Sequence, residues 1–578
     1  MTDSPSTRSA RRLAAQRGWL RAVLRRPAAT VVLPLLALLA AGTLLVAVPM
    51  LALLQTALED GLAALAAAVA SAAPAIAASL WTSLGATILA VAIGATLAIL
   101  TERTEVPGRR GLRLAMLVAF IVPGYVAAVG WLNAYGPGGV LDDLLGVAAP
   151  ALIGPLGIII VLGVEAAPIA YLVVAAGLAT RAEPDLERAA RASGADAAMA
   201  FRSVTLPLLR PVLAGAAAIA FVLSVTSFGV PAVLGLPAGF TTMTTRIYRD
   251  LAFSSDPDSF VRAVGLALVL AVGAALVIGL ADALLERHRT ERSGAFGGPF
   301  GHLGTTPPSQ PVEAGGARWQ PRALGLGFVA WLLLILVIIV PLVALLLSAL
   351  TRAPGLDPVP ANWTLEHFRE VLGPRTLDGL LNSALLAGAA AVGVVILGAL
   401  AVASRRGPGA GPIGGLLGLT FALPGSTLAV AVLLAYGAAL RDTLLIILVA
   451  YLAKFWALGY RPIASGLDGM AADLYRAARV SGADGLTTTR TIVLPVLRPL
   501  IVVGGLIVFV FGLHEVTMSS LLYGPGTSTL AVVVLNLQQL GESGPTAALA
   551  IVLTVIVALA SLPLLHRGGS LERVGWRR

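Results

Sequence analysis

Apolar stretches of about 20 residues, the length a helix needs to cross a bilayer, recur twelve times along this sequence. The first six lie near residues 28–54, 79–101, 113–134, 154–178, 211–234 and 261–284. The second six lie near 323–350, 380–403, 411–437, 442–465, 498–522 and 545–566. In hydrocarbon every backbone polar group must be satisfied internally, which leaves only helices or a closed barrel. The short alternating strands of a barrel are not present in the sequence. The expected fold is therefore an all-α polytopic membrane protein with about 12 transmembrane helices in two tandem six-helix domains. Charged residues make up 12% of the chain, half the share of a soluble domain or less. The expected division is a basic N-terminus (1–27), a first domain (28–284), a linker (285–321), a second domain (322–566) and a C-terminus (567–578). The linker is assigned from its Gly, Pro and Ser content and its lack of apolar periodicity.

The net charge is +10. Its arginines sit between apolar runs, as orientation in a bilayer requires, and not in a nucleic-acid-binding patch. Basic loops stay in the cytoplasm. The arginines of the N-terminus, of 103–113 and of the linker, against the arginine-free 135–153, put both termini inside. Only 235–260, with Arg246 and Arg249, runs against the pattern. The first apolar run is too long for a signal peptide and reads as an uncleaved span. There is no cysteine, and the five histidines show no metal-ligand spacing, so no metal site is expected. A phosphate-binding loop needs Gly-Lys-Ser/Thr. The chain's single lysine, Lys454, is followed by Phe455 inside an apolar run. This chain is not expected to bind ATP or to be an enzyme.

One polar phrase occurs twice. Residues 185–211 read DLERAARASGADAAMAFRSVTLPLLRP and residues 473–499 read DLYRAARVSGADGLTTTRTIVLPVLRP. Gly194 and Gly482 are 288 positions apart, close to half the chain. Pro123-Gly124 and Tyr135-Gly136 likewise match Pro424-Gly425 and Tyr436-Gly437 at a spacing of 301. Two halves with the same span count and charge bias should share one topology about a pseudo-twofold axis along the membrane normal. The charge bias makes both copies of the phrase cytoplasmic. Each predicts a short Ala/Arg-rich helix, a break at glycine and a second helix leading into a Leu-Pro span start, where proline is tolerated.

These phrases resemble the cytoplasmic loop of ABC importer permeases, whose pattern is EAA, three residues, Gly, nine residues, Ile-x-Leu-Pro. The matching positions are Arg188-Ala189-Ala190, Gly194, Asp196 and Pro207 in one copy. In the other they are Arg476-Ala477-Ala478, Gly482, Asp484 and Pro495. Arginine stands in place of the motif's glutamate in both copies, with Glu187 one position earlier in the first. The resemblance implies two type I importer permease domains whose loops seat on two copies of a separate ATPase, which carries the ATP and Mg. It also implies an extracytoplasmic substrate-binding protein, a bacterial inner-membrane location and no cofactor on this chain. The segments 227–251, 363–372 and 514–537 are similar to fused two-domain ferric iron permeases, which implies ferric iron as cargo. Relatives for thiamine, phosphonates and polyamines share the architecture.

Ionisable residues at membrane depth are costly and mark functional sites by default. Glu165, Lys454, His514 and Glu515 are therefore the candidates for a translocation path. Hard ferric iron would favour the oxygens of Glu165, Glu515, Tyr171 and Tyr460. Glu165 and Lys454 are 289 positions apart, as are Tyr171 and Tyr460, so opposite charges occupy pseudo-equivalent places. They are expected to pair or to line the path asymmetrically. Competing classes are an ion-driven secondary transporter, which would carry more intramembrane carboxylates, a membrane scaffold, and a membrane-embedded enzyme.

Overall fold

The computed structural model describes residues 29–103, 106, 108–146, 149–180, 184–287, 320–404, 420, 423–470 and 472–574. The expected N-terminal segment, most of the linker and the end of the C-terminus lie outside the described residues. Ten helices among them are long and apolar enough to span a membrane, and a bent pair, Arg109–Ile121 with Gly124–Leu144, adds an eleventh. The span expected near 411–437 is described mainly from residue 423, where the helix Gly425–Leu440 begins two residues later.

Three expected continuous spans are interrupted, each for a local reason. The third turns through 104° at Val122-Pro123. Proline drives the residue before it out of the helical region, and Val122 is extended at φ −70° and ψ 122°. A new helix then starts, with Ala127 N–H donating to Pro123 O; in the second half Leu428 N–H donates to Pro424 O, both at 3.0 Å. The fifth and eleventh spans stop at Thr226 and Leu513, and short helices Gly229–Leu234 and Thr517–Leu522 follow. All three interruptions lie where the two halves meet: Gly229 packs against Tyr125 of its own half and Val516 of the other.

Prolines within the apolar runs have another consequence. Four π-turns, Thr43–Ala47, Phe201–Thr205, Ile335–Ile339 and Thr489–Val493, each end two residues before a proline. Proline lacks an N–H and its ring clashes with the carbonyl four residues back, so the turn widens to the i→i+5 pattern. Pro49 and Pro341 cannot supply the N–H that this pattern asks for at Leu44 O and Leu336 O. Those two carbonyls instead accept the hydroxyls of Tyr436 and Tyr135. Each tyrosine belongs to the opposite half from the carbonyl it satisfies. The first span of each half is thereby clasped to the third span of the other.

Other contacts repeat with the duplication. Ser79 Oγ accepts Met243 N–H at 2.7 Å, and Ser383 Oγ accepts Leu530 N–H at 2.9 Å. Small residues let the second and fourth spans approach closely in both halves, as in membrane helix packing generally. A Cβ on Gly94 would stand 2.6 Å from Tyr171 N, and one on Gly398 would stand 2.9 Å from the Gly459 carbonyl carbon.

Candidate functional site: the paired polar loops and the broken spans

Both copies of the repeated phrase fold alike. Helices Pro184–Ala192 and Ala472–Val480 come first. Arg188 and Arg476 each donate to the aspartate three residues earlier, Asp185 and Asp473, at 3.0 Å. At 67% and 71% exposure these surface pairs contribute little stability and leave the guanidinium groups presented to solvent. Ala189 and Ala477 are exposed, whereas Ala478 is buried. The helices end at Gly194 and Gly482 with φ of +92° and +78°, a left-handed conformation that glycine adopts without strain. Ala195 N–H donates to Ala190 O, and Ala483 N–H to Ala478 O, both at 3.0 Å. This is the reverse hydrogen bond of a glycine-terminated helix.

The next helix is capped in each copy by aspartate, a preferred cap residue. Asp196 accepts Met199 N–H at 2.7 Å and Asp484 accepts Thr487 N–H at 2.8 Å. Hydrogen bonds from the Thr487 side chain and backbone hold the Asp484 carboxyl below its ordinary value. The π-turns follow, and Pro207 and Pro495 stand at the second position of the helices that open the fifth and eleventh spans. Nothing lies within 4 Å of where a Cβ would stand on Gly194 or Gly482. The two glycine turns thus face open space among the described residues.

The copies differ at one anchor. Glu187 turns inward, accepts a hydrogen bond from Thr205 Oγ1 and lies 3.9 Å from Arg103. It ties the first loop to the start of the fifth span and the end of the second. Its counterpart in the second copy is Tyr475, whose hydroxyl instead lies 3.9 Å from Met470 Sδ.

Of the intramembrane candidates, Glu515 has a clear structural occupation. Its carboxylate accepts N–H bonds from Met518 (2.9 Å) and Ser519 (3.1 Å) and a bond from Ser519 Oγ (3.3 Å). It therefore caps Thr517–Leu522, and Tyr451 OH joins the same cluster 2.8 Å from Ser519 Oγ. His514 stacks near Phe511 with ring centroids 5.6 Å apart, and its buried Nδ1 has no partner among the described residues.

Lys454 and Glu165 do not pair: no ion pair joins them among the described residues. Each is engaged by the broken third span of its own half. Lys454 Nζ donates to Leu423 O at 2.5 Å, the carbonyl immediately before Pro424. Glu165 faces Gly124, just after Pro123, where a Cβ would come within 2.3 Å of either carboxylate oxygen. Only glycine fits there. Tyr171 is also engaged elsewhere, its OH 3.1 Å from both Thr101 Oγ1 and Glu102 Oε1. Glu515 and Tyr171, of the oxygen set expected for ferric iron, are thus each engaged by other partners, and no group of three or more His, Asp or Glu among the described residues could hold a metal.

Sequence reasoning missed several residues. Tyr125 and Ser426 each follow a break glycine, and their hydroxyls are buried without a partner among the described residues. Their only signal was the repeated Pro-Gly pair. Arg262 and Asp250 form a buried bidentate pair at 2.8 and 3.0 Å, joined by Arg246 at 3.1 Å and Asp256 at 3.0 Å. Arg246, one of the two arginines of 235–260, is thus paired locally with Asp250.

The sequence model of the binding-protein-dependent transport system inner membrane component matches residues 90–290. Among relatives, a 2-aminoethylphosphonate transport system permease protein of Salmonella paratyphi A is 28% identical over 43% of this chain and 95% of its own length. The ferric transport system permease protein of Actinobacillus pleuropneumoniae is 24% identical over 77% of this chain and 64% of its own. The molybdenum transport system permease protein of Mycobacterium tuberculosis is 31% identical over 33% of this chain and 72% of its own. With its helical membrane architecture and its twice-repeated loop, the chain belongs to the binding-protein-dependent inner membrane components, the permeases of ABC importers.

Proposed function

We propose that this chain supplies both permease domains of an importer, 28–284 and 322–566, joined by a cytoplasmic linker and with both termini in the cytoplasm. Two copies of a nucleotide-binding ATPase seat on the loops at 185–207 and 473–495, and an extracytoplasmic binding protein delivers the cargo. The observation that carries this reading is the matched geometry of the two loops: the same glycine-ended helix, aspartate cap and π-turn, each leading directly into a span. ATP binding would draw the loops together and move the fifth and eleventh spans through their rigid starts. Such coupling requires a different loop contact in the two states of the ATPase. The permease itself holds no nucleotide; ATP and Mg stay on the partner.

The cargo we assign is ferric iron, supported by the similarity to the ferric permease across most of the chain. A second reading, a small oxyanion, is favoured by two observations. The Glu515 carboxylate is already taken by backbone N–H groups, and the phosphonate and molybdenum relatives are similar to parts of the chain at higher identity. Proteoliposomes holding the complex and its binding protein separate the two. ATP-dependent uptake of iron, unaffected by excess molybdate or phosphonate, would support the first. Uptake of either oxyanion without iron would replace it with the second.

A further inference from the structure

The two broken third spans are braced unequally. Each break leaves a carbonyl at the end of the leading segment with no helical donor, because proline drives the residue before it out of the helical region and the chain turns away there. In the second half that carbonyl, Leu423 O, is satisfied by the Lys454 ammonium. The pseudo-equivalent carbonyl in the first half is that of Val122, and the residue equivalent to Lys454 is Glu165. Glu165 and Val122 line one cavity of about 30 Å³, with Gly124, Val161, Ile338 and Leu342 also on its wall. That volume is enough for about one water. Glu165 is the only titratable residue on the lining.

Among the described residues no cation stands within 4.0 Å of Glu165 and no hydrogen-bond donor reaches it. Of the other titratable groups on the packed elements, Tyr125 is a neutral hydroxyl without a partner among the described residues, and the following are engaged elsewhere. Glu102 is bound by Arg113 and Tyr171, and Arg103 faces Glu187. Tyr171 lies six residues along the helix from Glu165, roughly 9 Å. An ionised carboxylate in an apolar cavity with no protein donor and room for only about one water is disfavoured, and such a group takes up a proton instead.

We infer that Glu165 is a proton-binding site whose O–H bonds to the Val122 carbonyl, in the place where Lys454 serves Leu423. A neutral donor in one half thus matches a charged donor in the other. The proton comes from hydronium in bulk water: one O–H of the donor breaks as the carboxyl O–H forms, leaving a neutral water. The inference does not depend on the cargo and goes beyond the reading of the loops.

The test is an infrared difference spectrum, at neutral pH in lipid nanodiscs, between the full chain and its Glu165→Gln variant. A protonated-carboxyl band present in the wild type and lost in the variant is expected. Loss of ionised-carboxylate bands instead would overturn the proposal. If Glu165→Gln fails to fold, wild-type protein treated with dicyclohexylcarbodiimide decides the matter, since this apolar reagent adds to protonated carboxyls. Mass-spectrometric mapping should find the adduct on Glu165 and not on Glu515, whose carboxylate is engaged by backbone N–H groups. An unmodified Glu165, with or without an adduct on Glu515, would overturn it.

Discussion

At the scale of the residue, the membrane-embedded charges hold broken backbone in place. Lys454 satisfies the Leu423 carbonyl at the break ahead of Pro424 and Glu515 caps the helix after the eleventh span. Hydrogen bonds to charged groups contribute about 1.5–3 kcal/mol each. Glu515→Leu should therefore speed amide exchange across 517–522 by about tenfold or more, read by hydrogen–deuterium exchange of the purified chain. Protection equal to wild type would refute the capping role. The Arg262–Asp250 pair is the other buried charge contact, both residues 5% exposed. Removing one partner strands the other, so Asp250→Ala should destabilise by about 3–5 kcal/mol, while a well-packed apolar pair should be close to neutral. Thermal unfolding in detergent reads both. These roles were not legible in the sequence. Hydropathy marks Glu515 and Lys454 as unusual, but which backbone group each serves depends on chain breaks whose partners are remote in sequence.

At the scale of the element, much could be read in advance. The repeated loops, their glycine ends and their entry into a Leu-Pro span start follow from local chemistry, because cap residues and left-handed glycine act within a few positions. The breaks at Pro123 and Pro424 were visible as a repeated Pro-Gly pair, but apolarity alone could not distinguish a continuous span from a bent one. The π-turns were further out of reach, since a proline in an apolar run permits a kink or a widened turn. The widened turn is supported at Leu44 and Leu336 by a tyrosine from the other half. The loop caps carry a pH prediction. The Asp484 carboxyl is held below its ordinary value of 3.8 by its bonds to Thr487, so its capping is complete above that value and is lost as pH falls through the lower, folded one. An NMR titration of Asp484 should show this depressed midpoint, and Thr487→Ala should raise it by removing the side-chain bond. A midpoint at or above 3.8 in the wild type would contradict the cap.

At the scale of the whole molecule, the two halves are held together reciprocally. Each first span is fastened to the opposite third span through a tyrosine and a proline-freed carbonyl. Tyr135→Phe/Tyr436→Phe should lower the thermal midpoint of the purified chain, with about 1–3 kcal/mol expected for each carbonyl left unsatisfied. An unchanged midpoint would mean that these clasps do not tie the halves. The central claim is that the duplicated loops are where a separate ATPase docks and drives transport. Its most direct test is co-purification of that ATPase, together with ATP-dependent cargo uptake in proteoliposomes, for wild type and Ala189→Trp/Ala477→Trp. Both alanines are exposed, so the bulk falls on the surface of the loops and leaves the membrane core untouched. The account predicts that bound ATPase and uptake fall together by about tenfold or more, equivalent to about 1.4 kcal/mol of docking free energy. Full uptake with the ATPase still bound, or uptake with no ATPase at all, would contradict it.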